Sequence, residues 1–174
     1  STASPGDTIT CTATVTDSGG ESATGSDSVT VGNTAPSIDS VEITPDADVT
    51  VTSTLTCVAT YTDADGESLT IGYSWTNASG DVLGLESSVV LSSETVSSSD
   101  TVNCTATVTD GAGERASGTD SVEIGNSTPS IDAVEISPDP AYAGDALMCS
   151  YTGFADADDD EDASTYQWQV NGAD

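Results

Sequence analysis

The chain has no histidine and no lysine, and Arg115 is its one basic residue against 30 Asp and Glu. Without imidazole or amine, Ser-His triads and Schiff-base chemistry are closed to it. A formal charge of −29 repels nucleic acid and anionic lipid surfaces alike. No apolar run approaches the ~18 residues of a membrane span, so no membrane-crossing helix is expected. Aromatic residues are scarce at 5%, and apolar residues total 35%, low for a globular chain. Low hydrophobicity with high net charge is a common signature of disorder.

What is present points the other way. Ser and Thr make up 53 of the 174 residues. Along many short segments they alternate, with Asp, against apolar residues. That period of two is a strand signal, and no helical period is visible. A sandwich can close on a thin core of Val, Ile, Ala and Trp, so the chain reads as folded and all β.

An internal repeat sets the organisation. Gly32–Asp46 (GNTAPSIDSVEITPD) recurs as Gly125–Asp139 (GNSTPSIDAVEISPD), an offset of 93 residues. The same offset carries Cys11–Asp17 onto Cys104–Asp110, both CTATVTD, and Tyr73 and Trp75 onto Tyr166 and Trp168. A repeat of this length suits one sandwich domain. Within the complete repeat, Val41 and Ile43 mark a first strand and Leu55, Cys57, Ala59 and Tyr61 a second. Ile71, Tyr73 and Trp75 mark a third, Val89 and Leu91 a fourth. Val102, Cys104, Ala106 and Val108 mark a fifth, and Val122 and Ile124 close the domain. Arg115 falls in the expected loop before that last strand.

The order Cys57, Trp75, Cys104 resembles the immunoglobulin pattern, in which a tryptophan packs over an inter-sheet disulfide. Asp100-Thr101-Val102-Asn103-Cys104 resembles that fold's corner before the second cysteine, with Val102 in place of its tyrosine. A closer resemblance is to the tandem immunoglobulin-like repeats of large secreted bacterial surface proteins, akin to PKD and cadherin-like modules. It is carried by Asn33 to Pro36, Asp63-Ala64-Asp65-Gly66 and Tyr73-Ser74-Trp75, and covers essentially the whole chain. It implies tandem immunoglobulin-like β-sandwiches: residues 1–32 as the C-terminal half of one repeat, 33–125 as a complete domain, 126–174 as the N-terminal half of another. It also implies a Cys57–Cys104 disulfide and core positions for Trp75 and Trp168. Closing a loop of that length is worth roughly 4 kcal/mol. Four cysteines in so acidic a chain point to an oxidising, extracellular or cell-surface setting.

Cys11 and Cys149 fall in the two half-repeats, so their partners are expected in a neighbouring subunit or outside this chain. Residues 1–32 and 126–174 supply 81 of the 93 repeat positions, and the missing ones correspond to Val82–Ser93. Two arrangements remain open: a window on a longer tandem array, or subunits that complete each other head-to-tail by strand exchange. Ser1 in place of Met, with no signal segment, is what processing or truncation leaves.

The remaining chemistry is carboxylate. Asp63, Asp65 and Glu67 follow the second strand, and Asp156, Asp158 and Asp160 lie in an acidic run at the equivalent place. In a sandwich the first group lies beside the loop from Asp110 to Glu114, near Gly32-Asn33. Clustered carboxylates at a domain joint suit calcium, a hard cation with six to eight oxygen ligands. A solvated acidic turn with Gly66 at positive φ, or acidity for solubility, is the plainer alternative. Glycosidase use of the carboxylates is disfavoured, since no aromatic cleft accompanies them. Asn77-Ala78-Ser79 and Asn126-Ser127-Thr128 fit the N-glycan acceptor triplet, while the Asn103 triplet contains Cys104. The expectation is therefore a non-enzymatic segment of an extracellular fibre, filament or stalk, whose partners are copies of itself or neighbouring repeats. The alternative is a cell-surface adhesin presenting a face to glycans or proteins.

Overall fold

The computed structural model describes residues 3–172, and it is all β, with no helix among them. Eleven strands follow in order: β1 (Thr8–Thr16), β2 (Ser22–Thr30), β3 (Ser37–Thr44), β4 (Thr54–Thr62), β5 (Thr70–Thr76), β6 (Val82–Gly84), β7 (Ser88–Val90), β8 (Thr101–Thr109), β9 (Arg115–Glu123), β10 (Ala133–Ser137) and β11 (Met148–Thr152). They build a three-stranded sheet β3-β4-β7, a four-stranded sheet β6-β5-β8-β9, and two separate hairpins, β1-β2 and β10-β11; all neighbours are antiparallel.

Alternation decides which faces meet. On β8 the side chains of Val102, Cys104, Ala106 and Val108 are fully buried, while the intervening Thr and Asn remain partly wet. On β4, Leu55 and Cys57 point into the same core and Thr54, Thr56 and Thr60 face water. Trp75 on β5 is completely buried, and its indole N–H donates to the Glu86 carbonyl at 2.9 Å, so the ring enters the core without orphaning its polar atom. The core thus lies between the three- and four-stranded sheets, as in a β-sandwich. Val49, Val51 and Val96, all in loops, complete it. They escape a strand-based reading because no period announces them.

Three devices clamp the sheets. The Cys57–Cys104 disulfide joins β4 to β8 across the core, with Cα atoms 6.4 Å apart. Asp120 on β9 accepts a hydrogen bond from the Ile43 N–H of β3 at 2.8 Å. Gly118 lets β3 approach β9, since a Cβ there would stand 2.9 Å from Val41 Cγ2 and 3.1 Å from Ile38 Cγ2.

The repeat recurs in three dimensions, pair for pair. Cys11 faces Asp27 across β1-β2 as Cys104 faces Asp120 across β8-β9, with the same nine-pair register. Ile136 faces Cys149 on β10-β11 as Ile43 faces Cys57 on β3-β4. The second pair stays in register because a deletion near Asp139-Pro140 is offset by an insertion at Gly153. Burial does not recur. Every residue of β1, β2 and β10 is exposed.

Several sequence expectations are revised. Trp168 is 47% exposed, because residues 163–169 form no strand here and nothing covers them as the sandwich covers Trp75. The fourth strand is two short ones, β6 and β7, on different sheets: the chain crosses over between them. Arg115 opens β9 instead of lying in a loop.

Removing the disulfide through Cys57→Ala and Cys104→Ala is expected to cost about 4 kcal/mol, the loop-closure entropy of the unfolded chain. Trp75→Ala leaves a cavity and is expected to cost about 3–5 kcal/mol. Urea denaturation followed by far-ultraviolet circular dichroism reads both as lowered midpoints.

Candidate metal centre

The turn after β4 reads Asp63-Ala64-Asp65-Gly66-Glu67. The Asp65 N–H donates to Asp63 Oδ1 at 2.8 Å, curling the chain back on its own side chain. Gly66, at φ 71°, completes the turn in a region that a Cβ disfavours. This local geometry aims three carboxylates inward. One oxygen each from Asp63, Asp65 and Glu67 lies within 4.8 Å of the others, about the span across one calcium ion with ligands near 2.4 Å.

Two oxygens of this group, Asp63 Oδ2 and Glu67 Oε2, are buried without a hydrogen-bond partner. Such orphaned acceptors ordinarily find a donor or a cation. The Glu67 carboxyl is pushed above its ordinary pKa, first by burial and then by the negative charges of Asp110, Asp63 and Asp65. Asp110, in the loop after β8, is itself buried. Its Oδ2 accepts from Asn33 Nδ2 at 2.9 Å and its Oδ1 from the Glu114 N–H at 2.8 Å. These bonds, Asn33 foremost, hold Asp110 below the usual carboxylate range. Asp110 is therefore a charged neighbour of the triad and not one of its three members, although the sequence grouped it with them. Asp65 Oδ2 accepts from the Thr34 N–H at 2.6 Å. The residues leading into β3 are thus laced to the acidic turn at both Asn33 and Thr34.

The second cluster repeats the first. Asp158 N–H donates to Asp156 Oδ1 at 2.8 Å, and Ser127 N–H donates to Asp158 Oδ2, matching Thr34 and Asp65 at the offset of 93. Asp156, Asp158 and Asp160 converge like Asp63, Asp65 and Glu67. Asp158 Oδ1 and Ser127 Oγ are its buried orphans. Asp162 lies apart, accepting from Tyr151 Oη and the Ser164 N–H. Both triads can hold a metal ion: all donors are hard oxygens, and the chain's one basic side chain is Arg115.

The other singled-out residues fall elsewhere. Asn77 uses its amide within its own turn, accepting from Ser79 and Asp81 N–H and donating to the Thr95 carbonyl, so a glycan there would displace three bonds. Asn126 is exposed and donates to the Ser127 carbonyl. Cys11 is exposed, Cys149 half-buried, and neither is bonded. Asp120 and Gly118, which set the sheet spacing, escaped the sequence reading; their signal was Asp27 and Gly25 at the same offset.

Glu67→Gln tests the electrostatics. A carboxyl whose folded pKa is raised destabilises the fold where it is ionised, and the penalty fades as pH falls through that pKa. In metal-free protein the substitution is expected to raise the thermal midpoint at pH 7 and to have no effect at acid pH. With divalent cation present the sign reverses, because the variant loses a charged ligand. Calorimetric scans across pH, with and without the cation, read both.

No family model matches the chain, and neither does any curated protein or solved structure.

Proposed function

We propose that the chain is a non-enzymatic structural segment of an extracellular fibre or stalk, built from successive immunoglobulin-like sandwich units. The observation that carries this reading is the recurrence of the ladders: β1-β2 repeats β8-β9 and β10-β11 repeats β3-β4 in the same register, so one unit occurs serially along the chain. Serial units of one design distribute load instead of building one cleft. The disulfide fits an oxidising environment and a mechanical task, since it withholds the segment between Cys57 and Cys104 from extension.

Calcium is the cation this reading assigns to the two triads. Irregular sets of carboxylates with room for further oxygens suit its flexible coordination better than magnesium's strict octahedron. At Asp63, Asp65 and Glu67 the ion would sit where Asn33 and Thr34 enter the unit, and would stiffen that joint. Joints between units are otherwise mobile by default.

Solution scattering on the monomer fraction from a sizing column tests the serial arrangement. A compact chain of this length would have a radius of gyration of roughly 16 Å. The expected value is well above that, decreasing in spread when calcium is added and recovering with chelator; a compact value would overturn the reading. Pulling the chain by its ends gives a second readout. Reduction is expected to lengthen the unfolding step by roughly 160 Å, ~3.4 Å for each of the 47 residue steps the bond encloses.

A further inference from the structure

The two ends of the chain expose what its middle buries. Val102, Cys104 and Trp75 are fully buried, whereas their repeat counterparts Ile9, Cys11 and Trp168 lie open, Ile9 at 50% and Trp168 at 47% exposure. On the other sheet Ile43 is 4% exposed and its counterpart Ile136 is 53%. Each bare face has a shallow depression holding one unbonded cysteine: Cys11 among Ile9, Asp27 and Val29, and Cys149 among Val134, Tyr151 and Tyr166.

We infer that these faces are the two halves of one sandwich, and that a second copy of this chain supplies the missing half. The inference rests on the serial-unit reading above and adds its partner, register and crosslink. The middle of the chain is the template. There the β3-β4 pair lies across the β8-β9 pair, with Cys57 bonded to Cys104. Their equivalents by register are β10-β11 with Cys149, and β1-β2 with Cys11. Placed on that template, Cys149 of one copy meets Cys11 of the next.

Three details of the free chain already fit this junction. Asp27 holds the Asp120 geometry, its Oδ1 accepting from Ser28 N–H as Asp120 Oδ1 accepts from Ser121 N–H. Its Oδ2 is the counterpart of the atom that takes the Ile43 N–H, and so takes the Ile136 N–H of the adjoining copy. Gly25 has nothing within 4 Å of a built Cβ, whereas at its counterpart Gly118 that atom would strike Val41 and Ile38; at the junction Gly25 faces their equivalents, Val134 and Ile131. Finally, β5 pairs with the edge of β8 that β9 leaves open. The same edge of β1 carries no strand in this chain, and residues 163–169, the β5 counterpart, form none. A strand exists only with a ladder partner, and the adjoining copy provides it. The composite lacks counterparts of β6 and β7 alone, which are edge strands of their sheets.

The crosslink forms by exchange with a small-molecule disulfide such as oxidised glutathione. One cysteine thiolate attacks it, releasing one small thiol and leaving a mixed disulfide. The second cysteine thiolate displaces the other small thiol. The two protein thiols lose two electrons, the disulfide gains them, and two small thiols result. The contact is head-to-tail, so it extends into a linear chain. Both halves are acidic, and association is therefore favoured by salt.

The 174-residue chain in a glutathione redox buffer at high salt provides the test. Non-reducing electrophoresis is expected to show a ladder of multimers, peptide mapping to find Cys11 joined to Cys149 between chains, and Trp168 fluorescence to shift to shorter wavelength. An equimolar mixture of Cys11→Ser and Cys149→Ser chains should stop at dimers. Gly25→Leu adds a side chain in open space, so it should leave the thermal midpoint of the β3–β9 sandwich unchanged while abolishing the ladder. Monomers with free thiols, symmetric Cys11–Cys11 or Cys149–Cys149 dimers, or a Cys11–Cys149 bond within one chain would each overturn the inference. None of these would touch the scattering of the monomer, which tests the serial reading separately.

Discussion

The bond between Cys57 and Cys104 carries more of this structure than a disulfide usually does, because the core it crosses is thin. Leu55 and Trp75 are the largest fully buried side chains, and Val and Ala fill most of the rest. A core of small residues releases little free energy per strand ordered, while the conformational entropy lost on folding is the same for any chain of this length. Tying β4 to β8 removes part of that entropy from the unfolded state. The Asp120–Ile43 hydrogen bond and the bare Cα of Gly118 then set how closely the sheets approach.

Charge works against that arrangement almost everywhere. With 30 acidic residues and one basic one, the protein has almost no side-chain cations with which to balance its carboxylates. It satisfies them instead with backbone N–H groups: Asp110, Asp63, Asp156 and Asp65 each accept from a turn or linker amide. Where amides run out, Asp63 Oδ2 and Glu67 Oε2 stay buried and unpartnered, and the repulsion appears in Glu67's raised pKa. The same shortage that lifts Glu67 makes the turn a good receptor for a divalent cation.

Much of this was legible in the residues. Alternation marked β3, β4, β5 and β8, and the Cys-Trp-Cys order named the disulfide and the buried indole. The aspartates of both acidic turns were recognisable from their spacing beside a glycine. What escaped was non-periodic: the loop valines Val49, Val51 and Val96, the division of the fourth strand into β6 and β7, and the cross-sheet bond to Asp120. Asp110 was placed near the triad correctly but assigned to it, because sequence shows proximity of loops and not which oxygen Asn33 already occupies.

The sequence by itself determined the strand content, the repeat and the pairing register, since period-two patterning and turn residues act over a few positions at a time. Burial was decided only by tertiary structure. Ala13 and Ala106 sit in identical heptapeptides, yet one is exposed and the other fully buried. The same holds for Trp75 and Trp168. A side chain leaves water only when a second sheet is there to cover it, and that depends on what lies opposite in space, which local sequence does not encode.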